Sequence, residues 1–132
     1  MLDHAIACFP RECCGIMIGT VNGDARAVSI AVQCANVYDG DQKDRFQLDP
    51  RDQLAAERKA RDLGLTVLGF FHSHPNEDAY FSATDLKNSW PWYSNVVVSI
   101  RDGRFCGAKS FITSEDQSSA AQEDLQYYDS VS

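Results

Sequence analysis

A chain of 132 residues with 44% apolar and 11% aromatic side chains has the composition of one globular domain with a sizeable core, which excludes a disordered chain. Its net charge of −7 is unevenly placed: residues 114–132 hold Glu115, Asp116, Glu123, Asp124 and Asp129 with no Lys or Arg, leaving −2 for residues 1–113. A near-neutral body has no basic face for phosphate, which argues against a nucleic-acid partner, and no apolar run approaches the roughly 18 residues that span a bilayer, which argues against a membrane protein.

The opening "MLDHAIACFPREC" has no basic n-region and no long apolar core, so it does not read as a signal peptide, and a cytoplasmic location is expected. Residues 2–8 read as a short helix ending before Pro10, with His4 on its polar edge and no role assigned. "CGIMIG" and "RAVSIAVQC" read as strands around "VNGD", where Asn-Gly signals a hairpin. "RFQLD" reads as a short strand. "DPRDQLAAERKARDLG" carries full helix punctuation: Asp49 to cap, Pro50 at the first position, Gly64 to stop. Leu54, Ala55, Ala60 and Leu63 predict its buried stripe.

"LTVLGFFH" is a continuous apolar run of strand length, as expected for a central strand covered on both faces. A loop follows, then a helix over about 82–88. "NVVVSIR" and "RFCGAKSFI" predict a final strand pair around Asp102-Gly103. Helices mixed with a largely antiparallel sheet predict an α+β fold. Residues 114–132 read as a solvated acidic tail.

Five cysteines (Cys8, Cys13, Cys14, Cys34, Cys106) form no CxxC pair, so buried free thiols are expected, and the adjacent Cys13 and Cys14 read as strand packing. Trp90, Trp92 and Tyr93 read as core and rim aromatics.

The chemistry gathers at the end of the central strand. Alternate strand residues face the same way, so His72 and His74 project together and could grip one metal ion, while Pro75 ends the strand. Two ordinary polar residues at a strand end would look the same. A hydrolytic zinc site needs a third protein ligand and an open fourth position. Asp85, eleven residues after His74, is the candidate. "SATD" equally fits a capping box, with Ser82 as N-cap and Asp85 at N3. Either reading puts Ser82 and Asp85 at a helix start facing the strand exit. Ser73 reads as structural.

"HSHPNEDAYFSATD" resembles the His-x-His-Pro, six residues, Ser-x-x-Asp motif of the JAMM (MPN+) zinc metalloproteases, and "PRECCGIMIG" offers Glu12 beside a Cys-Gly pair where that family carries a glutamate. "SWPWYSNVVVSIRDG" is similar to small bacterial members linked to ubiquitin-like sulfur-carrier proteins. The likeness runs from about residue 10 to residue 112. Phe81 stands where many members have proline, a departure that touches loop stiffness and no ligand.

The resemblance implies a single MPN domain over residues 1–113: a mixed, mostly antiparallel sheet packed between helices, with a zinc site at a strand end. It implies one zinc per chain on His72, His74 and Asp85, Glu12 as general base and Ser82 as donor to the developing oxyanion. Without it, Glu12 reads as a surface carboxylate after a turn. The implied substrate is the C-terminal tail of a ubiquitin-like or sulfur-carrier protein, cleaved to expose Gly-Gly or to release an attached amino acid. Two other readings stand beside it: a zinc hydrolase of a small amide, and a non-catalytic MPN scaffold that binds protein partners. The oligomeric state is not legible.

Overall fold

The computed structural model describes residues 12–23, 25–37, 47–76, 78–87 and 89–125. The expected first helix, with His4 and Cys8, lies outside them.

Six strands form one mixed sheet: β1 (Cys14–Asn22), β2 (Ala25–Cys34), β3 (Thr66–Pro75), β4 (Ser94–Arg101), β5 (Arg104–Thr113) and β6 (Ala120–Glu123), in the order β2-β1-β3-β4-β5-β6. Only β3 and β4 pair in parallel; the other neighbours are antiparallel. The expected hairpins form where their turn residues stand. Gly23 (φ 63) lies between β1 and β2, and Asp102 (φ 51) with Gly103 (φ 79) joins β4 to β5 in the left-handed conformation such two-residue turns require.

Helix α1 (Pro50–Asp62) fills the β2-to-β3 connection as predicted. The Arg51 N–H donates to Asp49 Oδ1 at 2.9 Å, and Pro50 occupies the first turn. At the other end Gly64 takes φ 68 and the Leu65 N–H reaches back to the Ala60 carbonyl at 2.8 Å, so a left-handed residue closes the helix. The buried stripe differs from the expected one. Ala56 and Ala60 are buried, whereas Leu54 and Leu63 are 49% and 54% exposed and Ala55 is exposed. Alanines four apart stack on one face and let the helix backbone come close to the sheet, where Cys14, Ile16, Ile18 and Cys34 receive them. The bulkier leucines are turned out instead.

Two clusters cover the two faces of β3, as the unbroken apolar run predicted. Leu68 and Phe71 join Cys13, Met17, Val96, Val98 and Ile100 on one side. Val67 and Phe70 join the α1 side. The adjacent cysteines thus divide between the clusters, Cys13 into one and Cys14 into the other.

Gly69 is where the alternation along β3 resets. The register with β1 shifts there, Met17 facing Gly69 and Ile18 facing Val67. A Cβ on Gly69 would lie 1.8 Å from the Ser94 carbonyl oxygen, so only glycine lets β4 approach this closely. Past this irregularity Phe70, His72 and His74 share the face that carries α1, and the site stands there.

Two expectations are corrected. "RFQLD" gives, among the described residues, only an isolated bridge between Leu48 and Asn36, because Asp49 and Pro50 turn the chain into α1. The stretch read as a solvated acidic end contains β6, whose Ala120–Glu123 pair with Ser110–Thr113. Its "AAQE" holds no β-branched or aromatic residue, so pairing with β5 rather than intrinsic preference makes it a strand. Among the described residues no helix is long and apolar enough to cross a membrane.

Candidate metal and hydrolytic centre

His72 and His74 leave β3 on the same face, opposite Val97 and Ser99 of β4, and are 2% and 3% exposed. Their Nε2 atoms are 3.2 Å apart. Helix α2 (Ala83–Lys87) presents Asp85 to both: Oδ2 lies 3.2 Å from His72 Nε2 and 3.4 Å from His74 Nε2. The capping-box reading of "SATD" holds, and it leaves the Asp85 carboxylate facing the histidines. The Ser82 N–H donates to Asp85 Oδ2 and the Asp85 N–H donates to Ser82 Oγ, each at 3.0 Å, so the capping box itself aims the carboxylate at the histidines.

These three separations form a near-equilateral triangle. Ligand atoms about 2.0–2.1 Å from a tetrahedral metal stand about 3.3 Å from one another, so the donor set fits such an ion. The electrostatics agree. Burial dominates at His72 and pushes its pKa down against the pull of Asp85. Burial acts the same way at His74, but Asp85, the Asp78 carbonyl and the Glu12 charge outweigh it and the pKa rises. Burial opposes the charge on Asp85, yet hydrogen bonds from His72 and His74, the His72 charge and the Ser82 N–H hold the carboxyl well below the usual carboxylate range.

Glu12 is 4% exposed, and its Oε1 lies 3.9 Å from His74 Nε2. Its carboxylate and the two imidazoles lie within 4.8 Å of one another. Two carboxylates therefore flank the histidine pair, and distance divides them: Asp85 closes the triangle and Glu12 stands just outside it. The reading of Glu12 as a surface carboxylate does not hold, since the chain just before β1 is drawn in by two contacts. Ser73, between the histidines, accepts the Cys13 N–H on Oγ at 2.8 Å and donates its own N–H to the Cys13 carbonyl at 3.1 Å. Asn36 Nδ2 donates to the Glu12 carbonyl at 3.1 Å. Ser73 is structural as expected, though what it secures is the approach to β1.

Three contributors were not foreseen. Asn36 sits in "CANVY", which carries no motif. Asp78 acts through its carbonyl, 3.1 Å from His74 Nδ1, a role any residue type can fill. Tyr80 stands edge-on to the His74 ring at 4.8 Å, half-exposed at the mouth. Of the aromatics beyond the loop, Trp90 and Trp92 are exposed, with Arg26 stacked on Trp92 at 4.0 Å, while Tyr93 packs on Phe70. Phe81 stacks on Phe111 of β5, which anchors the segment leading into Ser82.

The family described as prokaryotic homologs of the JAB domain matches residues 1–110. The chain belongs to this prokaryotic JAB family. That agrees with the JAMM (MPN+) resemblance of the His-x-His and Ser-x-x-Asp segments. The chain is 36% identical over 96 residues to a desampylase of Haloferax volcanii, covering 72% of this chain and 66% of that protein. It is 31% identical over 103 residues to a CysO-cysteine peptidase of Mycobacterium tuberculosis, covering 77% and 68%. A solution structure of a protein from Desulfitobacterium hafniense superposes with a TM-score of 0.81 at 33% identity, covering 94% of this chain and 83% of that one. A JAB1/MPN-domain protein from Archaeoglobus fulgidus matches with a TM-score of 0.57 at 15% identity over 95% and 87%, a likeness of fold alone. The α+β architecture with its mixed sheet is thus the JAB/MPN fold.

Proposed function

We propose that this JAB-family chain is a zinc-dependent metallopeptidase or isopeptidase that hydrolyses an amide bond at the C-terminal tail of a ubiquitin-like or sulfur-carrier protein. One observation carries the reading: three donor atoms spaced 3.2–3.4 Å apart, two of them on buried histidines, with a second carboxylate at 3.9 Å. Two imidazoles and one carboxylate form a donor set suited to zinc, with a coordination position left for water or substrate. Zinc held there would act as a Lewis acid and make water a competent nucleophile near neutral pH.

The chain's own groups do the rest. Glu12 takes the proton of the attacking water on its carboxylate and passes it to the leaving amine. Ser82 Oγ already accepts the Asp85 N–H, so its O–H can donate a hydrogen bond to the oxygen that gains charge on the substrate carbonyl. His72, His74 and Asp85 hold their places through the strand, the Asp78 carbonyl and the capping box. The desampylase and the CysO-cysteine peptidase support a tail-directed hydrolase, and the short loop between Pro75 and Ser82 supports recognition by a docked partner rather than by a lid.

The test is mass spectrometry of ubiquitin-like and sulfur-carrier proteins incubated with zinc-loaded wild type and Glu12→Gln protein. The expected result is cleavage at or near the terminal Gly-Gly by wild type alone, with short tail peptides turned over poorly because remote binding energy positions the bond. Equal cleavage of a free tail peptide and the folded carrier would replace the docking reading with hydrolysis of a small amide.

A further inference from the structure

The loop after β3 is fastened to the β4–β5 hairpin at three points, none of which touches a donor atom of the triangle. Asn76, in the left-handed region at φ 57, donates its N–H to the Ile100 carbonyl at 2.6 Å. Its Oδ1 accepts the Asp102 N–H at 2.9 Å. Arg101 Nη2 meets Asp78 Oδ1 at 2.5 Å. The loop so held sets the Asp78 carbonyl 3.1 Å from His74 Nδ1. A carbonyl oxygen can only accept, so this contact requires the proton on Nδ1; in the neutral ring, the form that can bind a cation, the lone pair is then on Nε2, the nitrogen nearest Asp85 and Glu12.

We propose that Asn76 and Arg101 are positioning residues: the β4–β5 hairpin, through them, fixes the orientation and tautomer of His74 and thereby sets the affinity of the centre for its cation. The inference rests on the zinc reading above. It assigns a task to residues on the protein's surface that neither the ligand pattern nor the Ser-x-x-Asp segment contains. Arg101 and Asp78 are both exposed, and an exposed ion pair contributes little to stability. Partners that orient a metal-binding imidazole nonetheless change metal affinity by roughly 10–100-fold. The Asn76 and Arg101 side chains bring one bond each, beside the Asn76 backbone bond to Ile100.

The experiment compares wild type, Asn76→Gly, Arg101→Ala and the double variant with the conservative Asn76→Asp and Arg101→Lys. Glycine keeps the left-handed backbone and removes only the acceptor. Zinc affinity is read by competition with a chromophoric chelator. The tautomer of His74 is read from imidazole ¹⁵N shifts of the metal-free protein in alkaline solution, where the neutral ring reports which nitrogen is protonated. The double variant should bind zinc about tenfold or more weakly and show mixed tautomers. Asn76→Asp and Arg101→Lys should each restore most of the affinity lost in the corresponding Gly or Ala variant. Because Arg101 lies at the surface, its variants keep the test decisive if Asn76→Gly fails to fold. Zinc affinity within twofold of wild type in the double variant, or an unchanged Nδ1-protonated ring, overturns the positioning role alone. A wild type without zinc affinity overturns the zinc reading and the proposed effect on metal affinity with it.

Discussion

Ser82 and Asp85 bond to each other twice, N–H to carboxylate and N–H to hydroxyl, and the same Asp85 oxygen that closes this box faces both histidines. Helix capping and the placement of the proposed ligand are therefore one piece of structure. Ser82→Ala should lower stability by about 1 kcal/mol, the usual effect of a lost N-cap. It should also lower turnover about 100-fold through the lost oxyanion donor. Denaturant melts and steady-state rates on the same samples separate the two effects; a rate loss no larger than the stability loss implies would remove Ser82 from the chemistry.

Protein purified without added metal should carry about one zinc per chain by elemental analysis. Glu12→Gln should keep that zinc and the wild-type melting temperature while turnover falls roughly 10²–10⁴-fold, the range for a general base. His74→Ala should lose zinc and activity together. Its melting temperature should no longer rise with added zinc, since a ligand stabilises only the state that binds it. Zinc-free wild type that folds and cleaves would sink this assignment.

Gly69→Ala should destabilise the protein by about 3 kcal/mol or more, because the added methyl meets backbone and cannot be relieved by a side-chain rotation. The chemical-denaturation midpoint measures it. A mild effect would mean that β3 and β4 can separate without disturbing the histidines, against the register seen here.

Burial, with Asp52 and Asp49 nearby, pushes the Cys34 thiol from 9.0 up to about 11. The folded-state pKa exceeds the unfolded one, so this contribution to stability is complete below pH 9 and is lost as pH rises through about 11. Urea midpoints between pH 8 and 11 should fall more steeply for wild type than for Cys34→Ala. At pH 8 iodoacetamide should label Cys106, which is exposed, and spare Cys13, Cys14 and Cys34.

What could be read from the sequence was what short-range chemistry writes into it. Asp49, Pro50 and Gly64 marked α1 and Asp102-Gly103 marked the last hairpin, because each signal spans a few residues of fixed geometry; the spacing from His72 to Asp85 allowed a donor set, which only the family resemblance implied. The stripe of α1 was misjudged because periodicity cannot say whether a helix sits on leucines or presses its alanines close to a sheet. β6 was missed because its strand character comes from its neighbour. Asn36, Asp78 and Tyr80 were invisible for a related reason: they act through a backbone contact, a carbonyl or ring packing, which leave no residue pattern. Glu12 stood out only through family resemblance, since what draws it inward is Ser73, on a strand distant in sequence.

The centre is built from near and far pieces of chain. Thirteen positions separate His72 from Asp85, but 60 separate Cys13 from Ser73, whose bonds bring Glu12 in. Closing a longer loop costs more chain entropy, so the proposed cation capture and proton transfer should have different tolerances to disorder. Mild denaturant should therefore abolish cleavage at a concentration where zinc is still held, and following both signals in one titration would reveal the gap. Simultaneous loss would mean that the strand bearing the base and the strand bearing the histidines come apart only as a unit.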